Sequence, residues 1–149
     1  MKKMGELEIK SIAIRRIIFR EEKFFISTES SLSYGGKWAN CLYLHFYKED
    51  FPGIKGPDLI EGWEENTSRF DYGKCVLSGF YWHCGVTYYS ETKDIQSGRT
   101  LVKVGCDYQH LYDEMYTYQD SGEMILRGDG LGIAEEFIGL ISLNKERGE

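Results

Sequence analysis

Apolar and polar side chains alternate most sharply between Cys75 and Asp113. Val76, Phe80, Trp82, Cys84, Val86 and Tyr88 hold even positions, interrupted by Ser78, while Gly79, His83, Gly85 and Thr87 hold odd ones. A period of two predicts a strand whose even face is buried and whose odd face is open. Leu101–Tyr108 keeps the same parity, with Val102, Val104, Cys106 and Tyr108 set against Lys103, Gly105 and Asp107. The polar run Ser90–Thr100 between them predicts an antiparallel hairpin with a long loop. Paired residues share a face, so the register symmetric about Ile95 sets His83 opposite Asp107, Thr87 opposite Lys103 and Gly85 opposite Gly105.

The β-branched stretch Leu7–Phe19 predicts one strand and Phe24–Ile26 starts a second, short one, before a Ser/Gly-rich loop over Ser27–Gly36. Asn40–Tyr47 alternates Leu42, Leu44 and Phe46 with Cys41, Tyr43, His45 and Tyr47, which makes His45 a partly exposed strand histidine. Pro52, Pro57 and their neighbouring glycines predict an ordered loop or a short helix near Asp58–Glu65, anchored by Trp63. Ser121-Gly122 reads as a turn, Met124–Leu126 as a last strand and Gly128-Asp129-Gly130 as a breaker. Over Leu131–Lys145, Ile133, Phe137, Leu140 and Ile141 recur at helical spacing beside Ala134, with Asp129 available as a cap. The expected fold class is α+β: a mainly antiparallel sheet with a central long-loop hairpin and a C-terminal helix packed on it, in one domain over residues 1–149.

Composition narrows the classes of partner. A net charge of -6 excludes general affinity for duplex DNA, which needs many cationic contacts to phosphate. Four cysteines without a CxxC motif, and no secretory leader after Met1, predict reduced thiols in a cytoplasm. The apolar runs are too short to span a bilayer, so no membrane partner is expected. Tyrosine, at 11 residues, suits pleated sheet and contact surfaces.

Candidate chemistry gathers on the open face of the central stretch. His83, Asp107, His110 and Asp113 are the candidate catalytic residues, because an imidazole oriented by a carboxylate can serve as base or acid near neutral pH. The D-x-x-H-x-x-D spacing of Asp107, His110 and Asp113 suits a helical turn or a tight loop leaving the strand end. The same groups equally make a structural hydrogen-bond network. As a cofactor, a divalent cation fits the oxygen-rich set of these four residues. The set His83, Cys84, Cys106 and His110 has a zinc inventory, yet adjacent strand residues point to opposite faces and His83 and Cys84 would not share an ion. Cys84 and Cys106 are expected to be buried core residues and not nucleophiles. No GxGxxG, P-loop, GxSxG or HExxH motif occurs.

His83–Tyr88 (HCGVTY) followed by Val104–Asp113 (VGCDYQHLYD) and the helix segment GIAEEFIGLI resembles a group of small bacteriophage and prophage proteins. In that group an H-G-G-x-T-[YF] strand precedes a G-F-D-x-x-H-x-G-D strand end and a C-terminal helix. The resemblance spans roughly residues 40–141, with Cys84 and Leu111-Tyr112 standing where the group has glycine or a small residue followed by glycine. The matching polar positions are His83, Thr87, Asp107, His110 and Asp113. The resemblance implies a phage accessory protein that antagonises a host defence system, anti-CRISPR-like, with a defence nuclease or its RNA as partner. The alternative is a free-standing small hydrolase or phosphodiesterase built on the His/Asp set. Thr87, Lys103, Tyr108 and Tyr112 are the expected binding residues around it.

Overall fold

In a computed structural model, which describes residues 3–11, 14–32, 36–59, 70–71, 75–110, 112–118 and 120–146, the alternating stretches Asn40–Tyr47 and Leu101–Tyr108 lie side by side within one sheet. These are β4 (Trp38–Tyr47) and β8 (Thr100–Asp107). Around them β1 (Lys3–Ser11), β2 (Ile14–Arg20), β3 (Phe24–Leu32) and β7 (Tyr88–Lys93) complete a six-stranded sheet in the order β1-β2-β3-β4-β8-β7. Every pairing in it is antiparallel. A separate two-stranded ribbon joins β5 (Asp58–Leu59) to β6 (Phe70–Asp71).

The C-terminal helix covers one face of the sheet, giving the expected α+β class. Leu42, Leu44, Phe46, Val102 and Val104 project from the sheet into a core completed by Ile133, Ala134 and Phe137. The Phe137 ring lies 4.9 Å from Phe24, 5.0 Å from Phe46 and 5.3 Å from Phe51. Such ring pairs add about 0.5–1.5 kcal/mol each beyond their area burial. No described helix is long and apolar enough to cross a membrane.

Several expectations are corrected. The single strand over Leu7–Phe19 is two strands, β1 and β2, paired with each other. The expected Ser27–Gly36 loop is mostly strand, since β3 runs to Leu32. Its inward-facing polar side chains are satisfied: Thr28 donates to the Gly122 carbonyl (3.0 Å), and Ser30 donates to Asn40 Oδ1. Asn40 Nδ2 in turn donates to the Tyr116 carbonyl (2.6 Å). His45 is buried, 3 % exposed, stacked on Phe25 at 4.1 Å and hydrogen-bonded through Nε2 to Ser27 Oγ at 2.8 Å.

At the C-terminus, the Ser121-Gly122 turn, the Met124–Leu126 strand and the glycine breaker give way to one helical run. It comprises α1 (Ser121–Ile125), a π-helical turn (Leu126–Gly130) and α2 (Leu131–Glu146). Gly130 explains why the breaker is absorbed: a Cβ there would press on Leu126, Ile26 and Leu42 at 3.1–3.5 Å, so glycine lets the helix approach the sheet. Asp129 therefore caps nothing and has another partner, described below. The expected helix near Asp58–Glu65 is β5 at its start, and Trp63 lies outside the described residues.

The central hairpin exists with a different extent and register. Val76–Gly79 is a 3₁₀ turn, residues 80–87 are irregular, and the strand begins only at Tyr88. Lys103 pairs with Ser90 and Gly105 with Tyr88, so His83 does not face Asp107 across a ladder and Gly85 does not face Gly105. The even positions of 76–88 form no buried face, since Val76, Cys84 and Tyr88 are exposed; the segment is anchored instead by Trp82 and by Leu77 of the opposite parity, with Trp82 Nε1 donating to the Leu77 carbonyl at 2.8 Å. The strand glycine Gly105 marks a close backbone approach, because a Cβ there would collide with the Leu42 carbonyl oxygen of β4.

Candidate functional site

Beyond β8 the chain cannot continue as a strand, and it folds into a short loop that brings the D-x-x-H-x-x-D groups together. Tyr108 donates its N–H to the Asn40 carbonyl of β4 (2.9 Å). Gln109 N–H then turns back onto Asp107 Oδ1 (3.1 Å) and Asp113 N–H onto the His110 carbonyl (3.0 Å). A 3₁₀ turn over Glu114–Tyr116 follows. The spacing thus serves a tight loop, one of its two expected settings.

The second contributor is the segment before β7. Gly85 N–H donates to the Trp82 carbonyl (3.2 Å), and Cys84 and Gly85 have φ of 57° and 90°. This left-handed turn presents His83 to the β8 loop. Among the described residues, Cys84 and Tyr112 (φ 76°) are the non-glycine positions with positive φ.

Asp113 is the hub. Its Oδ1 accepts from His83 Nε2 at 2.9 Å, and its Oδ2 accepts from His110 Nδ1 at 3.0 Å and from the His110 backbone N–H at 2.8 Å. Burial works to raise the Asp113 carboxyl, but the backbone and imidazole hydrogen bonds outweigh it and hold it below the ordinary carboxylate value. An ionised carboxylate only accepts, so the proton on each facing nitrogen is fixed, and His83 Nδ1 and His110 Nε2 are left as the outward nitrogens. His110 Nε2 lies 3.7 Å from Asp107 Oδ1.

Aromatic side chains wall the cluster. The His83 ring stacks on Tyr108 (4.3 Å, 12° between planes) and meets Tyr116 edge-on at 5.4 Å. Tyr108 is 1 % exposed, and its hydroxyl donates to Asp129 Oδ2 at 2.6 Å, tying the site to the π-helical turn. A cleft of about 350 Å³ opens beside His110 and Asp113 and is lined further by Lys37, Trp38, Tyr112 and Glu114.

The structure therefore brings together His83, Asp107, His110 and Asp113, though His83 pairs with Asp113 and not with Asp107. Tyr108 supports the cluster from below, and Tyr112, 81 % exposed, stands at the cleft. Thr87 and Lys103 do not join it. Thr87 is exposed with its N–H on the Gly105 carbonyl, and Lys103 lies on the sheet face opposite the helix, paired with Glu29 at 2.8 Å and set over Tyr43 at 4.2 Å.

The cysteines part ways. Cys106 is buried, and burial pushes its thiol up to about 12, whereas Cys84 is exposed and not a core residue. Asp129 carries no sequence signal for its part in the site, because its link to Tyr108 is made only by the helix docking on the sheet, while Tyr116 is brought to His83 by the 3₁₀ turn after Asp113 and its carbonyl bond to Asn40. Comparison of the chain with protein-family models, with curated proteins and with solved structures gave no match.

Proposed function

We propose that the chain is a small hydrolase of phosphodiester bonds, acting on RNA or a nucleotide as an accessory protein of the phage type. The observation that carries this reading is the single carboxylate of Asp113 holding two imidazoles at 2.9 and 3.0 Å, next to an open cleft. That carboxylate fixes the proton on the inner nitrogen of each ring and leaves His83 Nδ1 and His110 Nε2 facing outward, to serve as base and acid or as ligands of a metal that activates water.

The test is cleavage of RNA and of cyclic nucleotides by the purified full chain, compared with His83→Ala and His110→Ala. Loss of an acid or base is expected to lower the rate about 10²–10⁴-fold while circular dichroism stays native. Absence of cleavage by the parent protein, or equal rates in folded variants, defeats the hydrolase reading.

A second reading is antagonism of a host defence nuclease by surface binding. It is favoured by the exposed Tyr112, Met115 and Tyr118 that follow the site on an acidic chain, a combination suited to a basic groove. Inhibition that survives both histidine substitutions would favour it.

A further inference from the structure

One ring nitrogen of His83, one of His110 and the Cys84 thiol all lie within 4.8 Å of one another. The expectation that His83 and Cys84 point apart assumed a strand, and the turn at Cys84 (φ 57°) removes that assumption. We infer that His83, Cys84 and His110 form a zinc-binding site, with Asp113 as the outer carboxylate that orients both imidazoles. The binding claim stands on this geometry, while its catalytic consequence rests on the hydrolytic reading above.

The chemistry of the donors selects the ion. Histidines that bind zinc generally give their second ring nitrogen to a carboxylate or carbonyl, which fixes the tautomer and raises the basicity of the ligating nitrogen. Here one carboxylate does this for two histidines, which directs His83 Nδ1 and His110 Nε2 to the cation. A thiolate and two imidazoles match zinc and other soft-to-borderline ions better than magnesium or calcium. The oxygen-rich set fares worse. Both Asp113 oxygens are engaged by histidine donors, and Asp107 Oδ1 is already taken by the Gln109 N–H. Cys106 is buried in the core and is no candidate for the ion.

Ligand distances of about 2.0–2.1 Å for nitrogen and 2.3 Å for sulfur put tetrahedral donors roughly 3.3–3.7 Å apart. The three groups must therefore close by about 1 Å. Cys84 is exposed and the His110 side chain is 35 % exposed, so both can shift without disturbing the core. Three protein ligands leave a fourth position toward solvent, the arrangement of catalytic zinc. A water bound there ionises near neutral pH. It gives its proton to Asp107 or solvent, its hydroxide forms a bond to phosphorus, the ester P–O bond breaks, and the departing oxygen takes a proton from solvent.

The test uses the full chain, stripped with a chelator and then titrated with zinc against a chromophoric competitor, and separately with cobalt(II). The expected result is one zinc per chain and a cobalt complex with a sulfur-to-cobalt charge-transfer band. Cys84→Ala keeps the Cβ and the backbone geometry. It should abolish that band and weaken zinc at least about tenfold, and Asp113→Asn should weaken zinc about 10–100-fold. No band in the parent protein, or a band that persists in Cys84→Ala, overturns the inference. Zinc binding without cleavage of any phosphodiester would leave the site standing and remove the hydrolase reading. Equal cleavage by the stripped protein that takes up no zinc would do the reverse.

Discussion

Asp113→Asn isolates the element on which the site depends. The substitution keeps shape and removes one of two acceptor oxygens along with the charge. Oδ2 takes two donors, the His110 backbone N–H and Nδ1, while Oδ1 takes one, from His83 Nε2. The asparagine oxygen should therefore stay with His110, and its amide should face His83. Hydrogen bonds to a charged acceptor contribute about 1.5–3 kcal/mol against about 0.5–1.5 kcal/mol for neutral ones, so each His110 bond loses roughly 1 kcal/mol. The His110 side chain is 35 % exposed and its share is reduced by solvent screening. The expected net loss is about 2 kcal/mol, read from urea unfolding at pH 7 with chelator present.

The amide also forces a tautomer change. Facing an N–H donor, His83 Nε2 must accept, and the ring proton moves to Nδ1. Long-range nitrogen–proton NMR should show Nε2–H in the parent and Nδ1–H in the variant. The pH dependence has a definite sign. Because the native carboxyl titrates below its ordinary value, its contribution is complete above that value and is lost as pH falls through the depressed one. The gap between parent and variant should accordingly shrink in acid. A loss below about 0.5 kcal/mol, or a His83 proton that stays on Nε2, would refute the hub role assigned to Asp113.

Three further outcomes are expected. Under native conditions at mildly alkaline pH, a haloacetamide should label Cys84 and spare Cys106, whose thiol is buried and pushed up to about 12; peptide mapping by mass spectrometry checks this, and equal labelling contradicts the placement. Gly105→Ala should cost more than about 3 kcal/mol, or prevent folding, because its Cβ would meet the Leu42 carbonyl oxygen and lie 2.5 Å from Tyr43 Cδ1; soluble yield and urea midpoint read the effect. Tyr108→Phe should cost about 1–2 kcal/mol through its lost bond to Asp129, which stays partly exposed and can be rehydrated, and unchanged stability would show that this bond contributes nothing.

What could be read from the sequence followed from how cleanly two faces differ. In β8, Val102, Val104 and Cys106 enter the core while Lys103 and Asp107 stay outside it, and the chain states this directly. The face of α2 was equally plain in Ile133 and Phe137. Hydropathy failed where polar groups are buried with partners. Ser27, Thr28 and Ser30 look like a loop because the hydrogen bonds that let them enter a strand come from His45, Gly122 and Asn40, far away in the sequence. It failed again over 76–88, where even positions alternate like a strand face although Val76, Cys84 and Tyr88 are exposed and the anchors of the irregular segment, Leu77 and Trp82, have opposite parity. The candidate cluster was legible in its membership, since unusual residues concentrate there. Its wiring was not, because the partner of His83 depends on a turn at Cys84 that the residue type does not announce.

That turn leads to a prediction about Cys84 and Tyr112, the non-glycine residues with positive φ among the described residues. A side chain in the left-handed region costs about 1–2 kcal/mol through contact of Cβ with the backbone, while glycine adds about 0.5–1 kcal/mol of unfolded-state entropy to be lost on folding. Cys84 is exposed and Tyr112 is 81 % exposed, so little burial offsets the exchange. Cys84→Gly and Tyr112→Gly should each leave stability unchanged or raise it by up to about 1 kcal/mol, whereas Cys84→Ala, which keeps the strain, should gain nothing. Urea unfolding of the stripped protein decides it. A loss above about 1 kcal/mol in either glycine variant would mean that the side chain, and not the backbone, holds the turn. If the gain appears, a chain that keeps a strained cysteine where glycine would serve better is retaining its thiol at the expense of stability, as a metal ligand at that position requires.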